Sequence, residues 1–376
     1  MTDGGNREPP RGFLSRLSRI SSSGRFIPEI DGLRFVAIAG VVLHHVACFI
    51  IQKTGTTPHD PLYNFVGQGF FGVDLFFVIS GFILALPFAE SHLDGTSRGS
   101  LGRYYGRRLT RLEPPYAINL LVLFLWLILR GHHTAAELWR HLVASLFYVH
   151  APVFHRGSVI NPAAWSLEIE VQFYLLAPLL CQVFRVRNIA ARRALLVTVM
   201  LLFSAGNWYI AEKPLFVSQS LPGYLHYFLL GILLADWYLV EGARGFTKSL
   251  LWDAIGLVAW AALGLGLIKA GTPRTALLPA ILIAYMAAFR GRIANAIFSF
   301  PLLTTIGGMC YTIYLYHNLF IDEVGLWSWS LYRPQLPFWG NFLVQLAVMG
   351  LPILLGCTIL FALIERPCMR PRWWKR

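Results

Sequence analysis

Apolar runs of about 17 to 25 residues, the length that crosses a bilayer as a helix, recur along the chain at 33–52, 69–90, 114–130, 168–185, 194–211, 220–240, 250–268, 275–289, 301–320 and 341–364. A shorter apolar segment at 138–153 fits a re-entrant or interfacial helix. The pattern predicts an all-α fold, a polytopic transmembrane bundle of about ten spans. Polar positions inside these runs are sparse, which makes each of them informative.

The first run, Leu33 to Ile51, carries Arg34 at its start and His44 and His45 in its middle. Ionisable groups at such depth cost roughly 2.5 to 3.5 kcal/mol each to insert, so a helix that keeps them usually uses them. Arg34 and His45 are eleven positions apart, about 1100° of helical rotation and a rise of about 16 Å. Both therefore face one way, and His44 lies about 80° off that line. His45 is the favoured member of the pair; the plainer use of either histidine is a hydrogen bond to a neighbouring helix.

Composition removes the soluble classes. Mean hydropathy is +0.56, with 56% apolar and only 14% charged residues, too apolar a surface for a water-exposed fold. The net charge of +13 does not point to nucleic acid, because the basic residues are spread over the ends of apolar runs. Roughly 23 of the 32 Lys and Arg fall in the two tails and in the turns near 91–112, 185–193, 241–249 and 290–292. That alternation fits the positive-inside rule with both termini in the cytoplasm. The first 26 residues hold Arg7, Arg11, Arg16, Arg19 and Arg25 around Phe13, Leu14, Leu17 and Ile20, a pattern for a retained basic tail, helical on an anionic leaflet or solvated, and not for a cleaved signal. Five cysteines without a CxxC spacing indicate neither a disulfide framework nor a zinc site. The expected organisation is a basic tail at 1–29, one membrane domain at 30–367 and a second basic tail at 368–376.

Five further segments carry polar or charged residues that call for an explanation. Asp74 is the one carboxylate in the run Gly69 to Phe82; a buried acid there either pairs with a cation or orients an imidazole, while Gly69, Gly72 and Gly81 fit close helix packing. Five arginines crowd 98–111, and on a helix Arg107, Arg108 and Arg111 cluster in a way that suits phosphates or lipid headgroups. Glu168 and Glu170 open the span after Trp165 and lie about 200° apart on a helix, so they cannot flank one bond as a glycosidase pair; one suits a helix cap and the other faces inward with Tyr174. Tyr311, Tyr314 and His317 form a polar stripe at roughly three-residue spacing, with an interfacial anchor as the plainer reading of His317. Glu365, followed by Arg366, reads most simply as half of a helix-end ion pair.

Taken together, Ile30-Asp31-Gly32-Leu33-Arg34 followed by His45, the phrase from Gly72 to Phe82, Arg108-x-x-Arg111-Leu112-x-Pro114, Trp165-Ser166-Leu167 with Glu170, and Tyr311-x-x-Tyr314-Leu315-x-His317 resemble the motifs of the acyltransferase family 3 group of integral membrane O-acyltransferases. The resemblance runs from residue 30 to about 367 and departs from the family where Val171 follows Glu170 in place of a second glutamate. The chain is expected to be of the type in which the membrane domain stands alone.

The resemblance implies transfer of an acyl group, often acetyl, from cytoplasmic acyl-CoA to a hydroxyl of a carbohydrate or glycolipid acceptor, in the plasma (inner) membrane. Acyl-CoA is then a co-substrate, with no permanently bound cofactor and no metal. His45 is expected to act as general base, with Asp74 or Glu170 holding its tautomer and Arg34 on the same stripe; an acyl-histidine intermediate is a variant of that scheme. Arg107, Arg108 and Arg111 are the expected contacts of acyl-CoA, and Trp165, Glu168, Tyr174, Tyr311 and His317 those of the acceptor. The rival class is a transporter or flippase for a lipid-linked sugar, against which stands the lack of a matching pair of interrupted helices in the two halves.

Overall fold

A computed structural model describes residues 17–20, 26–57, 60–93, 95, 100–211, 213–243, 245–264, 276–370 and 373. Arg7, Arg11, Arg16 and Arg25, with Phe13 and Leu14, lie outside the described residues, as do 265–268 at the end of one expected span. Apart from an isolated bridge between Ser249 and Gly291, the regular structure described is helical. The longer helices are α1 (Pro28–Thr54), α2 (Pro61–Gly67), α3 (Phe71–Leu93), α4 (Leu101–Leu129), α5 (Ala135–Leu146), α6 (His150–Phe154), α7 (Trp165–Leu180), α8 (Ile189–Ala211) and α9 (Leu221–Gly242). They continue with α10 (Leu250–Gly264), α11 (Leu277–Arg290), α12 (Arg292–Phe298), α13 (Pro301–Gly308), α14 (Cys310–Ser328) and α15 (Phe338–Leu360).

Seven helical stretches among the described residues are long and apolar enough to cross a membrane: Pro28–Thr54, Pro61–Leu93, Leu101–Leu129, Pro162–Arg185, Ile189–Asn207, Leu221–Gly242 and Phe338–Cys368. The protein is an all-α, multi-pass membrane protein. The runs expected at 250–268 and 275–289 are the shorter apolar helices α10 and α11. The run expected at 301–320 is not one helix: it breaks at Met309, between α13 and α14. Gly307 and Gly308 precede the break, and a β-carbon on Gly307 would overlap the Asp31 carbonyl, so close packing on α1 takes precedence over helix continuity here. The segment at 138–153 is a two-helix hairpin, α5 and α6, opened by a capping box in which Thr134 Oγ1 accepts from the Glu137 N–H and Glu137 Oε2 accepts from the Thr134 N–H. Leu138, His141, Ala144 and Ser145 form its buried face.

The chain divides into two compact units. One holds the described residues of 76–247 with 276–278. In it α3, from Phe76 onward, crosses α9 where Gly81 and Gly231 meet: a β-carbon on either would overlap backbone of the other helix, at Phe228 and Val78. Aromatic rings fill the space beside this crossing, with Phe173 stacked on Phe228 at 4.0 Å between centroids and Phe77 edge-on to Tyr224 at 5.3 Å. At another point α8 and α9 are joined by a buried ion pair in which Arg192 Nε donates to Asp236 Oδ1 at 2.6 Å and Arg193 Nε to Oδ2 at 2.7 Å.

The other unit holds the described residues of 17–75, 248–264 and 279–373. Helix α1 lies in close contact with the Gly69–Gly72 stretch, where β-carbons on Gly69 and Gly72 would overlap the Gly40 and Ala37 carbonyls. At its N-terminal end α1 meets α12 through the same device at Gly32, which faces Phe298 backbone, and α13 through Gly307, which faces Asp31. Buried charge gathers at this end: Asp31 accepts from Arg34 Nη1 at 2.6 Å and pairs with Arg19 at 3.4 Å. Glu29 accepts from Asn295 Nδ2 at 2.8 Å, and Asn295 Oδ1 accepts from Lys248. Glu365 is buried, and its Oε2 accepts from the Thr312 N–H at 3.1 Å and from the Thr312 hydroxyl at 2.5 Å, so hydrogen bonds to the start of α14 help to hold it.

Candidate active site

His45 lies in the second half of α1. Its Nδ1 donates to the Val41 carbonyl one turn back, at 2.8 Å. The same Nδ1 lies 3.3 Å from Nε2 of His317 on α14, with the two ring centroids 4.8 Å apart. His317 is fully buried, and its Nδ1 donates to the carbonyls of Ile313 and Tyr314 at 3.0 and 2.9 Å. His45 itself is half-buried. His44 lies edge-on to His45 at 5.4 Å between centroids, and its Nε2 is 3.4 Å from Cys48 Sγ. A half-buried neutral imidazole anchored on one nitrogen is suited to take a proton on the other.

Arg34 sits on the same helix stripe as His45 but about 16 Å along the axis, where its guanidinium is held by Asp31 and its side chain is 13% exposed. Asp74 is buried in the first turn of α3. Tyr311 is half-buried on α14, one turn before the residues that precede His317. Of the residues singled out on this unit, the fold thus brings His45 and His317 into contact, and the described hydrogen bonds of His45 are to Val41 and His317.

The residues singled out on the other unit form a separate arrangement. Glu170 accepts from Ser80 Oγ across the α3–α7 packing, and Tyr174, one turn further along α7, is buried beside it. The Arg108 guanidinium lies 5.9 Å from the ring centroids of both Tyr104 and Tyr174. Tyr104 and Tyr105 hydroxyls donate to the Tyr174 and Leu175 carbonyls at 3.1 Å each, tying α4 to α7. Arg107 is exposed and Arg111 half-buried on α4. Trp165 packs against Tyr224 at 5.5 Å between centroids.

Glu168 points elsewhere, as its angular separation from Glu170 demands. Its two carboxylate oxygens accept from the backbone N–H groups of His150 and Ala151, each at 3.1 Å, at the N-terminus of α6. There Arg156 Nη2 donates to His141 Nε2 at 3.2 Å, which leaves the proton of His141 on Nδ1, 2.8 Å from His150 Nε2. His150 in turn donates from Nδ1 to the Arg156 carbonyl at 3.3 Å. Both imidazoles in this closed ring are neutral. Burial, with His141 and Arg156 adjacent, pushes His150 down to about 4, and burial also lowers His141. An unfolded histidine takes up its proton near pH 6.5, so the unfolded chain binds more protons than the folded one between that pH and about 4. Stability contributed by this hairpin is complete above pH 6.5 and falls as the pH drops toward 4. Thermal unfolding in detergent across that range should show a steeper acid loss for the wild type than for His150→Gln, which does not titrate; equal slopes would contradict the neutral ring.

Sequence reasoning did not single out Ser80, Cys48 or the carbonyl of Val41. Ser80 stands in the run that holds Asp74, and the only signal for it is a hydroxyl within an apolar helix. The sequence profile of the acyltransferase domain family matches residues 27–363, nearly the whole chain. Among curated proteins the chain is similar to the O-acetyltransferase OatA of Staphylococcus aureus, 30% identical over 190 residues, which are 47% of this chain and 28% of that protein. It is also similar to a Bacillus subtilis protein named "Putative peptidoglycan O-acetyltransferase YrhL", 28% identical over 204 residues, 50% of this chain and 29% of that protein. The match thus spans less than a third of the length of these relatives. No solved structure shows a significant match.

Proposed function

The chain belongs to acyltransferase family 3, and from that premise we propose that it is a membrane O-acyltransferase moving an acetyl group from acyl-CoA to a hydroxyl of a carbohydrate acceptor. The observation that carries this reading is the half-buried His45, anchored on Nδ1 by a carbonyl and by His317. As general base, His45 takes the proton of the acceptor hydroxyl while the oxygen attacks the thioester carbonyl. The new O–C bond forms as the C–S bond breaks, and the imidazolium returns the proton to the departing thiolate.

Thioester donation is supported by the three arginines of α4, a residue type suited to bidentate contacts with phosphates. The carbohydrate class is supported by the similarity to the Bacillus subtilis protein, whose name gives peptidoglycan as the acceptor. The distribution of Lys and Arg supports a plasma-membrane location with both termini cytoplasmic.

Purified protein in detergent, given radiolabelled acetyl-CoA and the glycan fraction of the producing cell, should place label in glycan. No transfer by folded protein, repeated with longer acyl donors, would end this reading and leave the transporter class in its place.

A further inference from the structure

Carbonyl oxygens accept and never donate, so any ring nitrogen within hydrogen-bond distance of one must carry a hydrogen. This places a hydrogen on Nδ1 of His317, which faces two carbonyls, and one on Nδ1 of His45, which faces that of Val41. A neutral His317 then holds its lone pair on Nε2, the atom 3.3 Å from the His45 Nδ1–H. A charged His317 would set two N–H donors against each other across that gap. For a neutral His45 one proton arrangement remains: Nδ1–H is shared between a carbonyl and an imidazole lone pair, and the free lone pair is on Nε2.

We propose that His317 is the positioning residue of the acyl transfer: it fixes His45 as the Nδ1–H tautomer, makes Nε2 the proton-accepting atom, and stabilises the imidazolium that forms there. The inference rests on the reading of His45 as general base. When Nε2 takes the hydroxyl proton, the contact from His45 Nδ1 to His317 changes from neutral to charge-assisted, and such bonds are about twice as strong. An interaction that strengthens only as the charge develops lowers the barrier without tightening substrate binding. The two carbonyls on His317 Nδ1 hold that ring in orientation and make its Nε2 a better acceptor, as backbone partners do for metal-bound histidines. A neutral imidazole serves this end within a membrane bundle without bringing in the full charge of a carboxylate, which is costly at that depth.

The test uses full-length wild type, His317→Leu, His317→Phe and His317→Gln in the acetyl-CoA transfer assay, with folding checked by size-exclusion chromatography and circular dichroism. Removing the acceptor with Leu, or with Phe as the variant closer in shape, should lower kcat roughly 10- to 100-fold, the worth of a hydrogen bond to a charged group. KM for acetyl-CoA should stay unchanged. Gln, whose amide oxygen accepts from His45 Nδ1–H, should restore kcat to at least about five times the Leu value, a fraction of the same hydrogen-bond energy. Wild-type kcat in the Leu or Phe variant, equal losses in Leu and Gln, or a loss confined to KM would each overturn the inference while leaving the acyltransferase reading intact. Absence of transfer in the wild type would remove that reading and the inference with it.

Discussion

His45→Ala is expected to lower acetyl transfer by about 10²- to 10⁴-fold, the contribution of a positioned general base, while the protein remains folded in the membrane. His45 is half-buried and its ring lies against two other histidines, so truncation leaves the helix contacts of α1 at Gly32, Gly40 and Ala37 in place. The decisive comparison is turnover by purified His45→Ala against wild type, both eluting at the same volume. Turnover within a factor of about three, far less than a lost base costs, would show that another group takes the proton. His44 is a natural control. Its Nε2 lies against Cys48 and its ring edge-on to His45, so His44→Ala should cost much less than His45→Ala in the same assay.

Asp236→Ala is the second large effect, and it acts on stability. Asp236 and Arg192 are both fully buried, and Arg193 reaches the same carboxylate with 29% of its side chain exposed. Removing the acid leaves Arg192 buried with the Val186 carbonyl at 2.7 Å as its remaining described acceptor. Breaking a buried pair from one side costs about 3 to 5 kcal/mol, because the surviving charge loses its compensation. Unfolding in detergent should therefore move to clearly lower temperature or denaturant concentration for Asp236→Ala. The paired replacement Arg192→Met with Asp236→Leu should recover most of the loss, since two apolar residues of similar volume leave no charge behind. A single variant as stable as wild type would mean that water reaches Arg192 once the acid is gone.

Much of the architecture was legible in order along the chain. Spans are set by length and apolarity, which are local properties, and the seven long membrane helices fall on expected runs. Helical angles are equally local, and they separate Glu168 from Glu170: one carboxylate meets the N-terminus of α6 and the other Ser80 on α3. The family motifs and the profile match across residues 27–363 agree for the same reason. The break at Met309 was not legible, because Gly307 and Gly308 read as tolerable within an apolar run until Asp31 is seen lying against Gly307.

Arg34 shows the boundary between the two kinds of information. Its position on the stripe of His45 follows from helix geometry, yet one of its partners, Asp31 at 2.6 Å, is three residues away on the same helix, and a third charge arrives from Arg19. The sequence by itself determined which residues are embedded, which helix face each one takes, and that ionisable groups at depth must be held by something. Only the tertiary structure decided what holds them: His317 for His45 across 272 positions, Asp236 for Arg192 across 44, Thr312 for Glu365 across 53. Partners so distant in the chain are chosen by how helices cross, and the crossings are set by small residues whose contacts exist only once both helices are in place.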